Sequence, residues 1–477
     1  MKRVLPWWLI GAVLLVPSPL HAQSDGLANL VSDLILKGIT LPGADNPGRP
    51  HAGHFTLGNP TFGGSQGLSQ PDVASIAAVE AFSDRLRSQF ANFPLGSSTG
   101  GFTFSFDERS GVYTRNTESF GPAFTERAMT VGRRKLSLGF NYQHSSFDTF
   151  AGEDLRDGSI SFYLPHTDCC SGAVPPPSPQ IPGFESDVMQ ADLVLQATTD
   201  TFAVFANYGV NDHLDVGVAV PFTRVDLEAD IRTHILRLSS ADSSRVHTFV
   251  EGQDVSERTF TSNGSATGIG DIVFRTKYNF LRSANAGLAA ALDLRLPTGD
   301  ENELLGIGTT QAKFFGILSS THGRLSPHVN IGFTLSGEGS RPETLVYEPL
   351  GVSDEFNFSG GVEWVAHPKL TILGDFLGRT LFDGGKIELE SRTFPVRVGS
   401  GADASVPLQT STTNPISGEP YRQLALKTGN LSQMLGAVGF KYNAGPNMLF
   451  MANVLFPFNS SGLNDRLTIA LGIDYAF

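Results

Sequence analysis

Residues 466–477 read RLTIALGIDYAF, and their side chains alternate without a break. Leu467, Ile469, Leu471, Ile473, Tyr475 and Phe477 fall on one face; Arg466, Thr468, Ala470, Gly472, Asp474 and Ala476 fall on the other. Alternation of period two over this length is a β-strand with one apolar and one wet face. Two folds use such a strand. A soluble sheet turns the apolar face to a core, and a membrane barrel turns it to lipid while the polar face lines a lumen.

The same alternation recurs upstream. Residues 135–142 put Leu136, Leu138, Phe140 and Tyr142 on one side. Residues 271–280 set Ile272, Phe274, Tyr278 and Phe280 against Asp271, Arg275, Lys277 and Asn279. Residues 287–297 set a leucine-rich face against Asp293 and Arg295, and 325–336 set Val329, Ile331 and Phe333 against His328, Asn330 and Thr334. Residues 355–364 leave Glu355, Asn357 and Glu363 on the wet side, 370–379 leave Thr371, Asp375 and Arg379, and 433–442 leave Gln433 and Lys441. Residues 187–209 read as one long strand with an irregular patch at Thr198 to Thr201. In 213–236 the apolar residues change phase, from Leu214, Val216, Val218, Val220 and Phe222 to Val225, Leu227 and Ile231; Pro221 just before the slip suggests a bulge. Residues 310–320 and 447–457 are apolar on both faces and complete the set.

The connections alternate in length. Short ones are Asn211-Asp212, the stretch near Arg282 to Asn285, His322-Gly323-Arg324, His367-Pro368 and Ala444 to Asn447. Long ones span about 148–186, 238–267, 298–309, 338–354, 383–421 and 458–464. Six long and five short connections join twelve strands. The count is even and every second loop is long, as an outer-membrane barrel with short periplasmic turns requires. The expected fold class is all-β: a twelve-stranded antiparallel transmembrane β-barrel. Closure is what lipid demands, because an open sheet edge leaves backbone N–H and C=O groups unpaired at several kcal/mol each. A sandwich, the soluble rival, typically uses strands of roughly five or six residues.

The N-terminus carries Lys2 and Arg3, an apolar run from Leu5 to Val16, and Leu20-His21-Ala22. Residues 1–22 therefore read as a cleaved signal peptide, the apolar run being shorter than the ~20 residues of a spanning helix. Net charge is -13 and only 17% of residues are charged. That excludes a basic nucleic-acid surface and an electrostatic anchor on anionic lipid. The adjacent Cys169 and Cys170 read as an exposed structural pair.

Residues 23–133 do not fit a regular barrel and are expected to form a periplasmic or plug-like extension, with the barrel over 134–477. Val73, Ile76, Val79, Phe82, Leu86 and Phe90 recur at helical spacing after Pro71. Leu27, Leu30, Val31, Leu34 and Ile35 suggest a shorter helix. Residues 101–115 suggest a small hairpin, which would give fourteen strands if it joined the barrel.

Two blocks carry a resemblance. Residues 268–300, from GIGDIVFRTKYNF to LDLRLPTGD, followed by ENELLGIG, and residues 208–222, YGVNDHLDVGVAVPF, resemble an outer-membrane family named for a MetA pathway of phenol degradation. The resemblance implies a barrel related to transporters of hydrophobic or aromatic compounds. It implies the outer membrane as location, and lipid and the barrel-assembly machinery as partners. It covers about residues 187–477 and not residues 23–133.

Gly268-Ile269-Gly270 is no dinucleotide loop, since an alternating strand follows and not a helix. Pro297 to Asp300, with Glu301 and Glu303, reads as a solvated turn, with a cation site as the alternative. No catalytic, cofactor or metal site is expected. A membrane-barrel hydrolase would need a Ser/His pair, for which His144, Ser145 and Ser146 are the local candidates. A closed structural or adhesive barrel is the other alternative. The expected lumen-lining set is Asp271, Arg275, Lys277, Asp293, Arg295, Glu355, Glu363, Asp375, Arg379, Lys441, Arg466 and Asp474. Arg275, Asp293 and Arg295 sit on adjacent strands and are expected to constrict the lumen. Trp364 and Tyr475 suit interfacial belts, and the terminal Phe477 resembles the aromatic assembly signal with which barrel proteins often end.

Overall fold

The computed structural model describes residues 26–42, 73–90, 94, 96–97, 101–107, 112–115, 118–165, 187–238, 244, 247–283, 285–337, 352–396, 409–414, 417–427, 429–445 and 447–477. Residues 1–22, expected to be a signal peptide, and the Cys169–Cys170 pair lie outside them.

Twelve strands form the barrel: β1 (Leu136–Phe150), β2 (Val188–Gly209), β3 (Leu214–Leu236), β4 (Ile272–Arg282), β5 (Ala286–Leu296), β6 (Gln311–Ser320), β7 (Leu325–Ser336), β8 (Glu355–His367), β9 (Leu370–Leu381), β10 (Leu431–Gly445), β11 (Met448–Pro457) and β12 (Thr468–Ala476). Each pairs antiparallel with its sequence neighbour. β12 closes on β1, with Ile473 opposite Phe140, so the sheet has no free edge at this level. The Phe477 amide continues the seam, donating to the Leu136 carbonyl at 2.8 Å. The hairpin at Phe104–Asp107 and Val112–Arg115 is a separate two-stranded sheet, so fourteen strands are not formed. Lower down, the chain enters β1 hard against the end of β2. A Cβ on Gly209 would lie 1.9 Å from the Gly132 carbonyl oxygen, so only glycine fits there.

Several connections expected as loops hold extra strands. Glu257–Ile269, which overruns the 238–267 connection by two residues, pairs with β3 from Phe222 to His234, and Ile160–Pro165 pairs with the upper part of β2. Two further two-stranded sheets lie within 386–427. β2 and β3 run together for their whole length in one unbroken register, Ala203 opposite Pro221 included.

That register corrects the expected bulge at Pro221. Odd-numbered residues of β3 face inward from Asp215 to Ile235. What changes at Pro221 is the surroundings. Val216, Val218, Val220 and Phe222 face outward, and so do Arg224, Asp226, Glu228, Asp230 and Arg232 above them. The inward face changes from Asp215 and Gly217 to the buried Val225, Leu227, Ala229 and Ile231. The lower half of the hairpin meets lipid outside; the upper half meets water outside and wraps an apolar core. The patch at Thr198 to Thr201 is the same crossing on β2. Below it Phe202, Val204, Ala206 and Tyr208 face lipid, and above it Gln190, Asp192 and Gln196 face water. The lipid-facing stretch is thus about ten residues per strand, the length of an apolar band ~25 Å tall.

The core above the membrane is built around the N-terminal extension. Residues 27–38 form successive helical turns, and Val73–Phe90 forms one helix. Val31, Ile35, Val79, Phe82 and Leu86 are buried in one cluster with Leu193, Leu195, Leu227 and Ile231. Phe82 meets Phe150, and Phe90 meets Phe147, each edge-to-face at 4.9 Å. The Ala28 amide donates to Asn302 in the connection after β5. These helices therefore pack at the long-loop end of the barrel. Their apolar stripes find a partner only there, where β2 and β3 turn apolar side chains inward.

Candidate functional site: the barrel lumen

Ahead of β1 the chain passes through the barrel over residues 119–131. Residues 119–131 form a strap held by side chains of the inner wall. A backbone removed from water needs a partner for each N–H and C=O. Alternation on the strands supplies them, because every second residue of each strand points inward.

Asp375 on β9 accepts the amides of Ala123 (3.1 Å) and Phe124 (3.0 Å), and the Thr125 hydroxyl (3.0 Å). His328 on β7 sits between Asp375 (Nε2–Oδ1 3.1 Å) and Glu363 (Nδ1–Oε1 3.5 Å), and Ser119 donates to Glu363. Asn330 bonds both backbone groups of Glu126, accepting its N–H at 3.3 Å and donating to its C=O at 3.1 Å. Ser319 accepts the Ala128 amide (3.1 Å), Asn279 donates to the Ala128 carbonyl (2.7 Å) and Asp215 accepts the Val131 amide (2.9 Å). The strap thus runs across the inner wall from β9 and β8 round to β3.

Glu126 is the charged centre of the strap. Its Oε1 pairs with Arg275 Nη1 at 2.5 Å and its Oε2 with Lys277 Nζ at 3.3 Å. Arg275 also forks onto Asp293 on β5, with Nε at 2.5 Å from Oδ1 and Nη2 on Oδ2. This planar two-point geometry is what guanidinium offers a carboxylate.

Most of the expected lumen set faces inward. Asp271, Lys277, Asp293, Glu355, Glu363, Asp375, Lys441 and Asp474 are buried on the inner face, and Arg275, Arg295 and Arg379 are half-buried there. Arg379 reaches Glu355 at 3.5 Å and donates twice to Gln433, at 2.9 and 2.6 Å. Asp271 serves a turn: it accepts the amides of Gly299 (3.1 Å) and Ile307 (2.9 Å), folding the connection after β5 over the strand ends. Thr298 closes the same unit by donating to the Gly270 carbonyl at 2.8 Å. The two ends of the 268–300 block, around Gly270 and Gly299, are one structural joint. Arg466 is the exception. It precedes β12, is 65% exposed and pairs with Asp154 at 2.7 Å, because the alternating register begins only at Thr468.

His144 and Ser145 point to opposite faces. His144 bonds Asp200 at 2.8 Å on the outer surface, while Ser145 bonds Thr468 inside. Trp364, Tyr475 and Phe477 are exposed at the short-turn end, as are Tyr208, Tyr278 and Tyr442 elsewhere around the barrel.

Above the strap and below the end of the helix lies a cavity of about 280 Å³. Phe124, Thr125 and Glu126 form its floor, and Gln89, Phe90 and Pro94 reach it from above. Arg275, Asp293, Arg295, Lys313, Glu355 and Arg379 bring charge to its wall. Arg275, Asp293 and Arg295 do come together there. Glu126 lies outside the barrel strands, and Lys313 lies in a stretch apolar on both faces, so alternation alone did not single them out. Parity from Gln311 was the available signal for Lys313.

A closed, twelve-stranded, up-and-down barrel with a lipid-facing apolar band and aromatic residues at its short-turn end is a transmembrane β-barrel of the outer-membrane class. The sequence matches, over residues 177–364, the family model described as "Putative MetA-pathway of phenol degradation". Both sequence blocks noted above fall inside that range. No curated protein matches the chain. Among solved structures, it is similar to an outer-membrane channel from Pseudomonas putida F1, at 11% identity over 73% of this chain and 98% of that one, TM-score 0.40. A TodX monoaromatic hydrocarbon channel variant aligns at 9% identity over 80% and 98% of the two chains, TM-score 0.31. The NanC porin aligns at 7% identity over 61% and 98%, TM-score 0.30.

Proposed function

We propose that the protein is an outer-membrane channel or transporter for small hydrophobic or aromatic compounds, and that residues 23–133 act as its internal plug. The observation that carries this reading is the strap. An adhesive or purely structural barrel has no use for a peptide that crosses the lumen on side-chain bonds and leaves a ligand-sized space above it. Side-chain bonds to a strap can be exchanged for water one at a time, so the strap can shift while the barrel ladder stays intact. The cavity wall combines Phe124, Phe147, Phe315, Leu377 and Leu455 with charged groups, a lining suited to compounds of mixed character. The family similarity over 177–364 favours aromatic compounds among these.

The test is conductance and solute flux of purified protein in bilayers and vesicles. The full chain should give small or infrequent current steps, and deletion of residues 25–131 should give large, steady ones. Equal conductance with and without the segment would remove the plug. Absence of both current and solute flux from the deleted form would remove the channel.

A further inference from the structure

Lys313 differs from the other cations of the cavity wall. It faces inward from β6, opposite Asp293 on β5 and Thr334 on β7. Yet Asp293 gives both carboxylate oxygens to Arg275. Among the described residues Lys313 has no carboxylate within ion-pair distance and no hydrogen bond. Its ammonium lies over the ring of Phe315, whose centroid is 5.2 Å from Nζ. The ammonium borders the cavity, and so does that ring.

Charges withdrawn from bulk water are as a rule paired. The wall supplies a pair for Arg275 and for Arg379 and leaves Lys313 to the enclosed space. Beside it stands Arg295, which lines the same cavity. Phe124 in the floor, Phe315 beneath the ammonium, and Ile331 and Leu377 along the wall supply apolar surface, while the carboxylates of the lining are already engaged: Glu126 and Asp293 by Arg275, Glu355 by Arg379 and Asp465 by Thr468. At about 280 Å³ the space is near the lower end of small-molecule cavities, roughly 300–1,000 Å³.

We propose that this cavity is a binding site for a small organic anion with an apolar body, an aryl carboxylate in the simplest case, whose carboxylate pairs with the Lys313 ammonium while its ring lies among Phe315 and Phe124. The proposal rests on the channel reading for its biological sense and narrows the solute class within it. Neutral aromatics of the same size gain the ring contacts and not the charge.

The experiment is equilibrium binding to the full chain in detergent, read by calorimetry, with benzoate and benzyl alcohol as probes. Benzoate should bind at least about tenfold more tightly than benzyl alcohol, and added salt should weaken it. Lys313→Gln should lower benzoate affinity by on the order of tenfold to a hundredfold and leave benzyl alcohol within about twofold. Lys313→Arg should restore much of the preference. Folding of each variant is checked by its heat-dependent gel migration. If Lys313→Gln does not fold, the anion preference of the unaltered chain and of Lys313→Arg decides. Equal affinity for the two probes, or a preference untouched by Lys313→Gln, overturns the site. Failure of the channel reading looks different: benzoate binds as described, and no current or flux appears in any form of the protein.

Discussion

The Phe124 amide donates to Asp375 Oδ2 at 3.0 Å across 251 positions of sequence. That bond, with its neighbour from Ala123, ties the lumen strap to the barrel wall. Asp375→Ala removes the acceptor for two amides and one hydroxyl, each orphan costing about 1–3 kcal/mol where water cannot replace the bond, and one partner of His328, which keeps Glu363. The barrel ladder is untouched. Single-channel conductance should therefore rise several-fold with little change in the temperature at which the barrel melts. Unchanged current traces would show that the strap does not depend on this anchor.

Glu126 is predicted to matter more for stability than for conductance. Lys277 is fully buried beside it, with Asp215 the next carboxylate at 3.9 Å. Glu126→Gln leaves Lys277 and Arg275 with less countercharge in a low-dielectric interior. Breaking a buried pair from one side costs about 3–5 kcal/mol. A thermal melt in detergent should shift down by several degrees, and a melt that superimposes on that of the unaltered protein would contradict the account.

The change of surroundings along β3 makes a paired prediction. Val218→Arg places a charge on the lipid face and should weaken folding into vesicles by up to about 2–4 kcal/mol, according to depth. Glu228→Arg, ten positions on and also facing outward, lies in water and should cost close to nothing. Folding titrations into phospholipid vesicles separate the two; equal costs would misplace the membrane boundary.

Glu80, on the helix packed above the membrane, offers a pH test. Burial, and secondarily Asp84, raise its pKa above the usual 4.5, and its Oε2 has no hydrogen-bond partner among the described residues. A carboxyl whose folded pKa is raised is destabilising when ionised, so helix docking should strengthen as pH falls through that raised value. Glu80→Gln removes the charge and should slow amide exchange in 73–90 at pH 7, with a smaller effect near pH 4. Faster exchange in the variant at pH 7 would reverse the sign and refute the argument.

Strand positions were legible because the information is local. The face assignment of Asp293, Glu363 or Lys441 needs only the parity of its own strand, and an even strand count needs only the order of long and short connections. Arg466 failed because alternation continues past the point where pairing with β11 begins, at Leu455 opposite Thr468. The bulge expected at Pro221 failed for a different reason: a shift in apolar phase can come from a slipped register or from a changed solvent, and a sequence shows both alike. The helices were legible as helices, from spacing at Val79, Phe82 and Leu86, but their location was not.

By itself, then, the sequence determined twelve strands, their inward and outward residues, and two amphipathic helices upstream, because each follows from the periodicity of a single segment. Only the tertiary structure decided that the helices cap the long-loop end, that residues 119–131 cross the lumen, and that Asp293 serves Arg275 while Lys313 faces the cavity. Those outcomes turn on contacts between residues far apart in the chain, where competing partners of the same charge are chosen by distance and geometry once the barrel has closed.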